Sequence, residues 1–124
     1  DNARAALLTR SMSEMVSLGV ALGGEVETFM GLSGFGDLIG TCMGGWSRNR
    51  TFGLELAEGV DPNEILRSQK TVVEGFWATA CFYEKCRNLS VEMPILREIY
   101  AILYQGKKPA LALQDLMNRN LKAE

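Results

Sequence analysis

The chain is 124 residues long, 47% apolar and 23% charged, enough for one hydrophobic core and typical of a globular domain. Its thirteen basic and fifteen acidic residues leave a net charge of −2, which argues against a nucleic-acid binder with a basic face and against a polybasic membrane anchor. No apolar run approaches the ~20 residues of a membrane span, and no charged segment followed by an apolar one marks a signal peptide.

Asp1, not Met, opens the chain and runs straight into helical pattern, so a cut ahead of it is expected. Residues 2–22 have the periodicity of a long helix: Leu8, Met12, Met15, Gly19 and Leu22 share one face, Asp1 and Asn2 can cap its start, and Gly23-Gly24 stops it. A short helical turn is predicted at Val26–Met30. The stretch Gly31–Gly53 then holds seven of the thirteen glycines. Within it a brief helix is predicted at Asp37–Met43, a break at Gly44-Gly45, and a helix over about 48–58 with Ser47 as N-cap. Asp61-Pro62 starts a short helix with proline at its first position, where the missing N–H costs nothing. Residues 69–73 (QKTVV) are β-branched in part and suit an extended connection.

The aromatic-rich segment Glu74–Leu89 reads as a second long helix. Met93-Pro94 opens another, with Ile95, Ile99, Ile102 and Leu103 on its apolar face and Gly106 past its end. Pro109 begins the last, with Leu113, Leu116, Met117 and Leu121 expected inward. Residues 89–93 are strand-like but too few to found a sheet. The expected fold is all-α, with about six or seven helices.

The chemistry concentrates in the glycine-rich stretch. Gly34, Gly36 and Gly40 superficially match a dinucleotide fingerprint, but no strand pattern flanks them, so close helix packing or close ligand approach explains them better. Asp37 is either the N-cap of the next short helix or an acid that orients a substrate hydroxyl or a catalytic lysine. Ser47-Arg48-Asn49 stands at a predicted helix N-terminus, where free N–H groups and the helix dipole favour an anion. Arg48 would add a two-pronged contact; the competing reading is a capped helix with solvated arginines. Glu74 suits either the dipole of its helix or a ligand, and Trp46 either a ligand wall or an anchor. The chain has no histidine, which removes His-based triads and zinc sites. Three cysteines (Cys42, Cys81, Cys86) make no disulfide framework, so reduced thiols in a cytoplasmic protein are expected.

Taken together, DNARAALLTR, GLSGFGDLIGTC, SRNRTFG, VVEGFWATA, VEMPI and LYQGKKP resemble the C-terminal domain of bacterial NAD(P)-dependent glycerol-3-phosphate dehydrogenases, in register from Asp1 to about Leu121. The resemblance implies that residues 1–124 are a helical substrate-binding domain like that of 6-phosphogluconate dehydrogenases, separated from an N-terminal Rossmann domain. It implies hydride transfer between dihydroxyacetone phosphate and sn-glycerol 3-phosphate, with NAD or NADP, feeding phospholipid synthesis. Asp37 matches the acid that contacts substrate near the catalytic lysine, and Ser47, Arg48 and Asn49 match the family's substrate-binding Ser-Arg-Asn. Arg48 also matches a residue that reaches the dinucleotide, and Val72 and Glu74 match positions that touch the cofactor. The dinucleotide loop and the catalytic lysine belong upstream of the match to Asp1. Lys70 matches no catalytic motif, so Asp37 supports catalysis here and the chain alone is expected to be inactive. Neither metal, nucleic acid nor a membrane span is expected; a second copy of the chain is kept as a candidate partner. The competing readings are a non-enzymatic regulatory or oligomerisation module, and a related dehydrogenase with another small anionic substrate.

Overall fold

The structure, a computed structural model, describes residues 2–119. They form eight α-helices: α1 (Asn2–Ala21), α2 (Val26–Met30), α3 (Asp37–Met43), α4 (Arg48–Ala57), α5 (Pro62–Ser68), α6 (Glu74–Leu89), α7 (Pro94–Tyr104) and α8 (Pro109–Met117). The all-α class is as the sequence predicts, and no strand occurs among the described residues. The number of helices exceeds six or seven because glycine and proline cut the chain into short pieces, α2, α3 and α5 being five to seven residues each. A further π-helical turn, Leu32–Gly36, leads directly into α3.

Local chemistry accounts for most boundaries. Asp61 Oδ1 accepts from the N–H groups of Asn63 (2.9 Å) and Glu64 (3.3 Å), capping α5 behind Pro62. Proline likewise begins α7 and α8. At the end of α6, Ser90 takes the left-handed conformation (φ 54°), and the Val91 N–H returns to the Cys86 carbonyl at 3.0 Å.

The core lies among α4, α5, α6 and α7. Phe52, Ile65, Val73, Phe76 and Leu103 are buried together, with Leu56, Val60 and Leu66 packed against them. Phe76 meets Phe52 edge-on at 6.2 Å and Tyr104 at 4.7 Å. An aromatic column continues through Tyr100 to Tyr83, which stacks on it at 3.8 Å.

The long helix α1 is tied to the chain's other half by polar side chains. The Glu14 carboxylate accepts from the Ile95 N–H (2.7 Å) and the Leu96 N–H (3.3 Å), so it caps α7 from a distance. Arg10 donates from Nη1 to the Leu116 carbonyl of α8 at 3.1 Å. At the other end of α1, Phe29 fills the groove at Gly19 and also closes over Gly34. A Cβ on Gly19 would meet the Phe29 ring at 2.0 Å, and one on Gly34 would meet the Phe29 carbonyl oxygen at 2.1 Å. Close packing therefore explains Gly34 of the fingerprint-like spacing.

Several predicted faces are shifted. On α1, Met12 and Leu18 are buried, whereas Leu22 lies past the helix end and is half-exposed. On α7, Ile95 and Leu103 are buried and Ile99 is partly exposed. On α8 the buried residues are Ala112 and Leu116, while Leu113 and Met117 are largely exposed. A small residue sits where α8 is buried, and apolarity alone does not mark that side. The expected position of Leu121 lies outside the described residues.

Candidate functional site

The glycine-rich stretch is mostly helical. In the π-helical turn the Gly36 N–H bonds the Gly31 carbonyl five residues back at 3.1 Å. Gly36 itself has helical dihedrals (φ −61°, ψ −46°). The backbone thus enters α3 already coiled, and Asp37 occupies the first turn rather than the N-cap position. The capping reading of Asp37 is corrected on that ground. Its carboxylate is exposed and makes no hydrogen bond to another described residue.

After the break at Gly44-Gly45, Ser47 adopts an extended conformation (φ −73°, ψ 120°) and caps α4, its Oγ accepting from the Arg50 N–H at 3.2 Å. The hydroxyl proton stays available for donation. Arg48 and Asn49 are the first two residues of α4, so their N–H groups have no intrahelical acceptor. The Asn49 side chain reaches the start of α6, where Oδ1 accepts from the Gly75 N–H at 3.0 Å.

Asp37, Ser47, Arg48, Asn49 and Glu74 line one open cleft of about 640 Å³. They come from α3, from the cap and first turn of the next helix α4, and from the start of the more distant α6. The remaining wall of the cleft includes Gly36 of the π-helical turn, Gly40 and Thr41 of α3, and Gly44 just past the end of α3. Gly36 and Gly40, four residues apart, lie along one helix side; a Cβ on Gly40 would meet nothing within 4 Å, whereas one on Gly44, past the helix end, would meet the Gly40 carbonyl oxygen at 2.6 Å. The missing side chain of Gly40 leaves the floor of the cleft clear. Leu32 (91% exposed) and Trp46 (98% exposed) form its rim, so Trp46 is not a partly buried anchor.

Val72 is the one proposed site residue outside this lining. The connection before α6 is extended, so neighbouring side chains diverge: Val73 is 1% exposed in the core and Val72 is 61% exposed. Two lining residues, Leu32 and Thr41, are not anticipated from the sequence. The spacing of Thr41, four from Asp37 on a predicted helix, is the signal that finds it; Leu32, in the π-helical turn, carries none.

The groups collected here have a definite chemistry. A guanidinium, a hydroxyl, an amide and a helix N-terminus suit an anion, and two carboxylates beside them suit hydroxyl or amide donors. Among the described residues neither histidine nor lysine lines the cleft. Desolvation pushes the thiols of Cys42 and Cys86 above their ordinary value, which keeps them protonated and poorly nucleophilic. Among the described residues no three His, Cys, Asp or Glu side chains cluster as a metal site requires. No described helix is long and apolar enough to cross a membrane.

Comparison with known proteins agrees with this architecture. The chain is 53% identical over 123 residues to the glycerol-3-phosphate dehydrogenase (NAD(P)+) of Maridesulfovibrio salexigens, covering 99% of this chain and 37% of that protein. It is 50% identical to the enzyme of the same name from Aliivibrio fischeri, with 99% of this chain and 36% of that one covered. The crystal structure of glycerol-3-phosphate dehydrogenase from Coxiella burnetii superposes with a TM-score of 0.92 at 41% identity, over 96% of this chain and 37% of that one. The chain thus spans little more than a third of the length of these relatives. The family model of the NAD-dependent glycerol-3-phosphate dehydrogenase C-terminus matches residues 1–114, and the chain belongs to that family.

Proposed function

We propose that residues 1–124 are the helical substrate-binding domain of a glycerol-3-phosphate dehydrogenase that interconverts dihydroxyacetone phosphate and sn-glycerol 3-phosphate with NAD or NADP. One observation carries this reading: five residues matched to the family's site, from three helices, line a single cleft in a chain of that family. In the proposal Arg48 and the α4 N-terminus hold the substrate phosphate, with Ser47 and Asn49 donating to its oxygens. Asp37 accepts a hydrogen bond from the substrate hydroxyl and orients it toward the lysine that the family places upstream. Fixing the phosphate fixes the carbonyl, and orientation of this kind accounts for several kcal/mol of barrier lowering.

The chemistry of Arg48, Val72 and Glu74 fits one flank of a dinucleotide: a guanidinium for its phosphates, exposed apolar surface, and a carboxylate for ribose or carboxamide donors. When bound, the nicotinamide supplies or accepts the hydride. The dinucleotide loop and the catalytic lysine belong, on this reading, to a Rossmann domain outside these residues. A cytoplasmic location, a role in phospholipid synthesis and a homodimer belong to the same proposal.

Arg48→Ala in the full-length protein tests it. Loss of a charge-assisted two-pronged contact worth roughly 2.7 kcal/mol raises the KM for dihydroxyacetone phosphate about 100-fold, while the melting temperature stays within about 2 °C, as for other exposed substitutions. An Arg48→Ala enzyme with unchanged KM and kcat overturns the assignment.

A further inference from the structure

Gly75, the second residue of α6, touches the cradle without lining it. Its N–H donates to Asn49 Oδ1 at 3.0 Å, across 26 residues of sequence. A Cβ built on Gly75 would stand 2.7 Å from that same oxygen and 3.0 Å from Asn49 Cγ. The donor and the missing side chain therefore address one group. Glycine within a helix is destabilising by about 1 kcal/mol relative to alanine, and nothing in α6 itself requires it: Gly75 is not among the positive-φ glycines. Asn49 supplies the reason.

The contact also selects which end of the carboxamide is left over. An amide side chain has one accepting oxygen and one donating NH₂. With Oδ1 taken by the Gly75 N–H, Asn49 keeps its two Nδ2 protons, the polarity that an anionic oxygen requires. The reverse orientation would turn an oxygen toward the anion. Gly75 is itself held firmly, its carbonyl accepting from Thr79 Oγ1 at 2.6 Å, and the next residue, Phe76, packs edge-on against Phe52 of α4.

We propose that Gly75 is a positioning residue for the anion cradle: its N–H and its lack of a Cβ together set the Asn49 carboxamide with its donors free for the substrate phosphate. The inference rests on the reading of this cleft as a phosphate site.

The test is a double-mutant cycle in the full-length protein, with dihydroxyacetone phosphate varied at saturating nicotinamide cofactor. Gly75→Ala raises KM about tenfold and changes kcat less than about threefold, the signature of a binding group displaced. Added to Asn49→Ala, the same substitution changes KM by less than about twofold, because the new Cβ has nothing left to displace. Full additivity, or wild-type KM in Gly75→Ala, overturns the proposal. Hydrogen exchange at the Gly75 amide reads the contact independently of any reaction, since a second helical residue has no intrahelical acceptor. Exchange quickens about tenfold in Asn49→Ala and stays slow in Asn49→Asp, which keeps the acceptor. Equal exchange in all three proteins overturns the contact even where the enzyme is active. A wild-type protein that shows this exchange pattern but reduces no dihydroxyacetone phosphate overturns the proposed function and, with it, the phosphate as the ligand that Asn49 serves.

Discussion

The half of the molecule built from α5, α6 and α7 and the half that runs from the π-helical turn to the start of α4 are made on opposite plans. In the first, a cluster of apolar side chains (Ile65, Val73, Phe76 and Leu103) is withdrawn from water, and Ile65 is 0% exposed, although the outer face of α6 leaves Trp77 in solvent. In the second, Leu32, Met43 and Trp46 are exposed and the floor is glycine. Helix α4 belongs to both: Phe52 is fixed in the core, and one turn earlier Arg48 and Asn49 face the cleft. The difference teaches a division of labour. Packing holds one end of α4 so that its other end can present uncompensated donors, and the cleft itself contributes little to stability.

Three substitutions break or sharpen that contrast. Ile65→Ala has the largest effect, a loss of about 3 kcal/mol in urea unfolding from the cavity left behind, with KM within about twofold of wild type at temperatures where the variant stays folded. Equal damage to stability from Arg48→Ala would erase the distinction. Gly40→Leu works the other way. Leucine is the better helix former by about 0.8 kcal/mol, and at Gly40 it meets open space, so stability is kept or slightly raised. Its side chain fills the floor of the cleft and raises KM about tenfold, a loss of ~1.4 kcal/mol in substrate binding. Steady-state kinetics beside thermal unfolding shows both.

The smallest effect concerns the tie between α1 and α7. Desolvation holds the Glu14 carboxyl above its ordinary value of 4.5, against the opposing pull of the Ile95 and Leu96 N–H groups. A raised carboxyl favours the folded state when protonated. Its contribution is fully present below the unfolded-state value and is lost as pH rises through the higher folded-state value. Glu14→Gln therefore flattens the part of the stability profile just above pH 4.5. Parallel wild-type and Glu14→Gln urea midpoints across that window would show that burial of Glu14 has no such effect.

Much of this organisation is legible in the sequence, for identifiable reasons. Ser47, Asp61-Pro62, Pro94 and Pro109 announce helix starts by local chemistry, and they appear where that chemistry puts them. The π-helical turn is not legible, because Leu32–Gly36 is rich in a poor helix former and is coiled beneath Phe29 through contacts that only the fold supplies. Valines 72 and 73 look alike on paper and separate only when the extended connection puts one in the core. Asp37, Ser47, Arg48, Asn49 and Glu74 stand out as polar groups at glycine-rich or helix-opening positions. The link from Asn49 to Gly75 leaves no such mark, since it joins residues 26 apart and carries no local pattern.

The attachment of α1 also bears on how the chain is made. Its bonds from Glu14 to Ile95 and from Arg10 to Leu116 span 81 and 106 residues, so each must close a loop of most of these 124 residues. At synthesis rates of roughly 5–20 residues per second, α1 waits on the order of 5–20 s for the segments that cap and cover it. Among the contacts of α1, the one with Phe29 of α2 is local and those with α7 and α8 form late, so a nascent chain halted before residue 95 presents a helix face that a chaperone can hold.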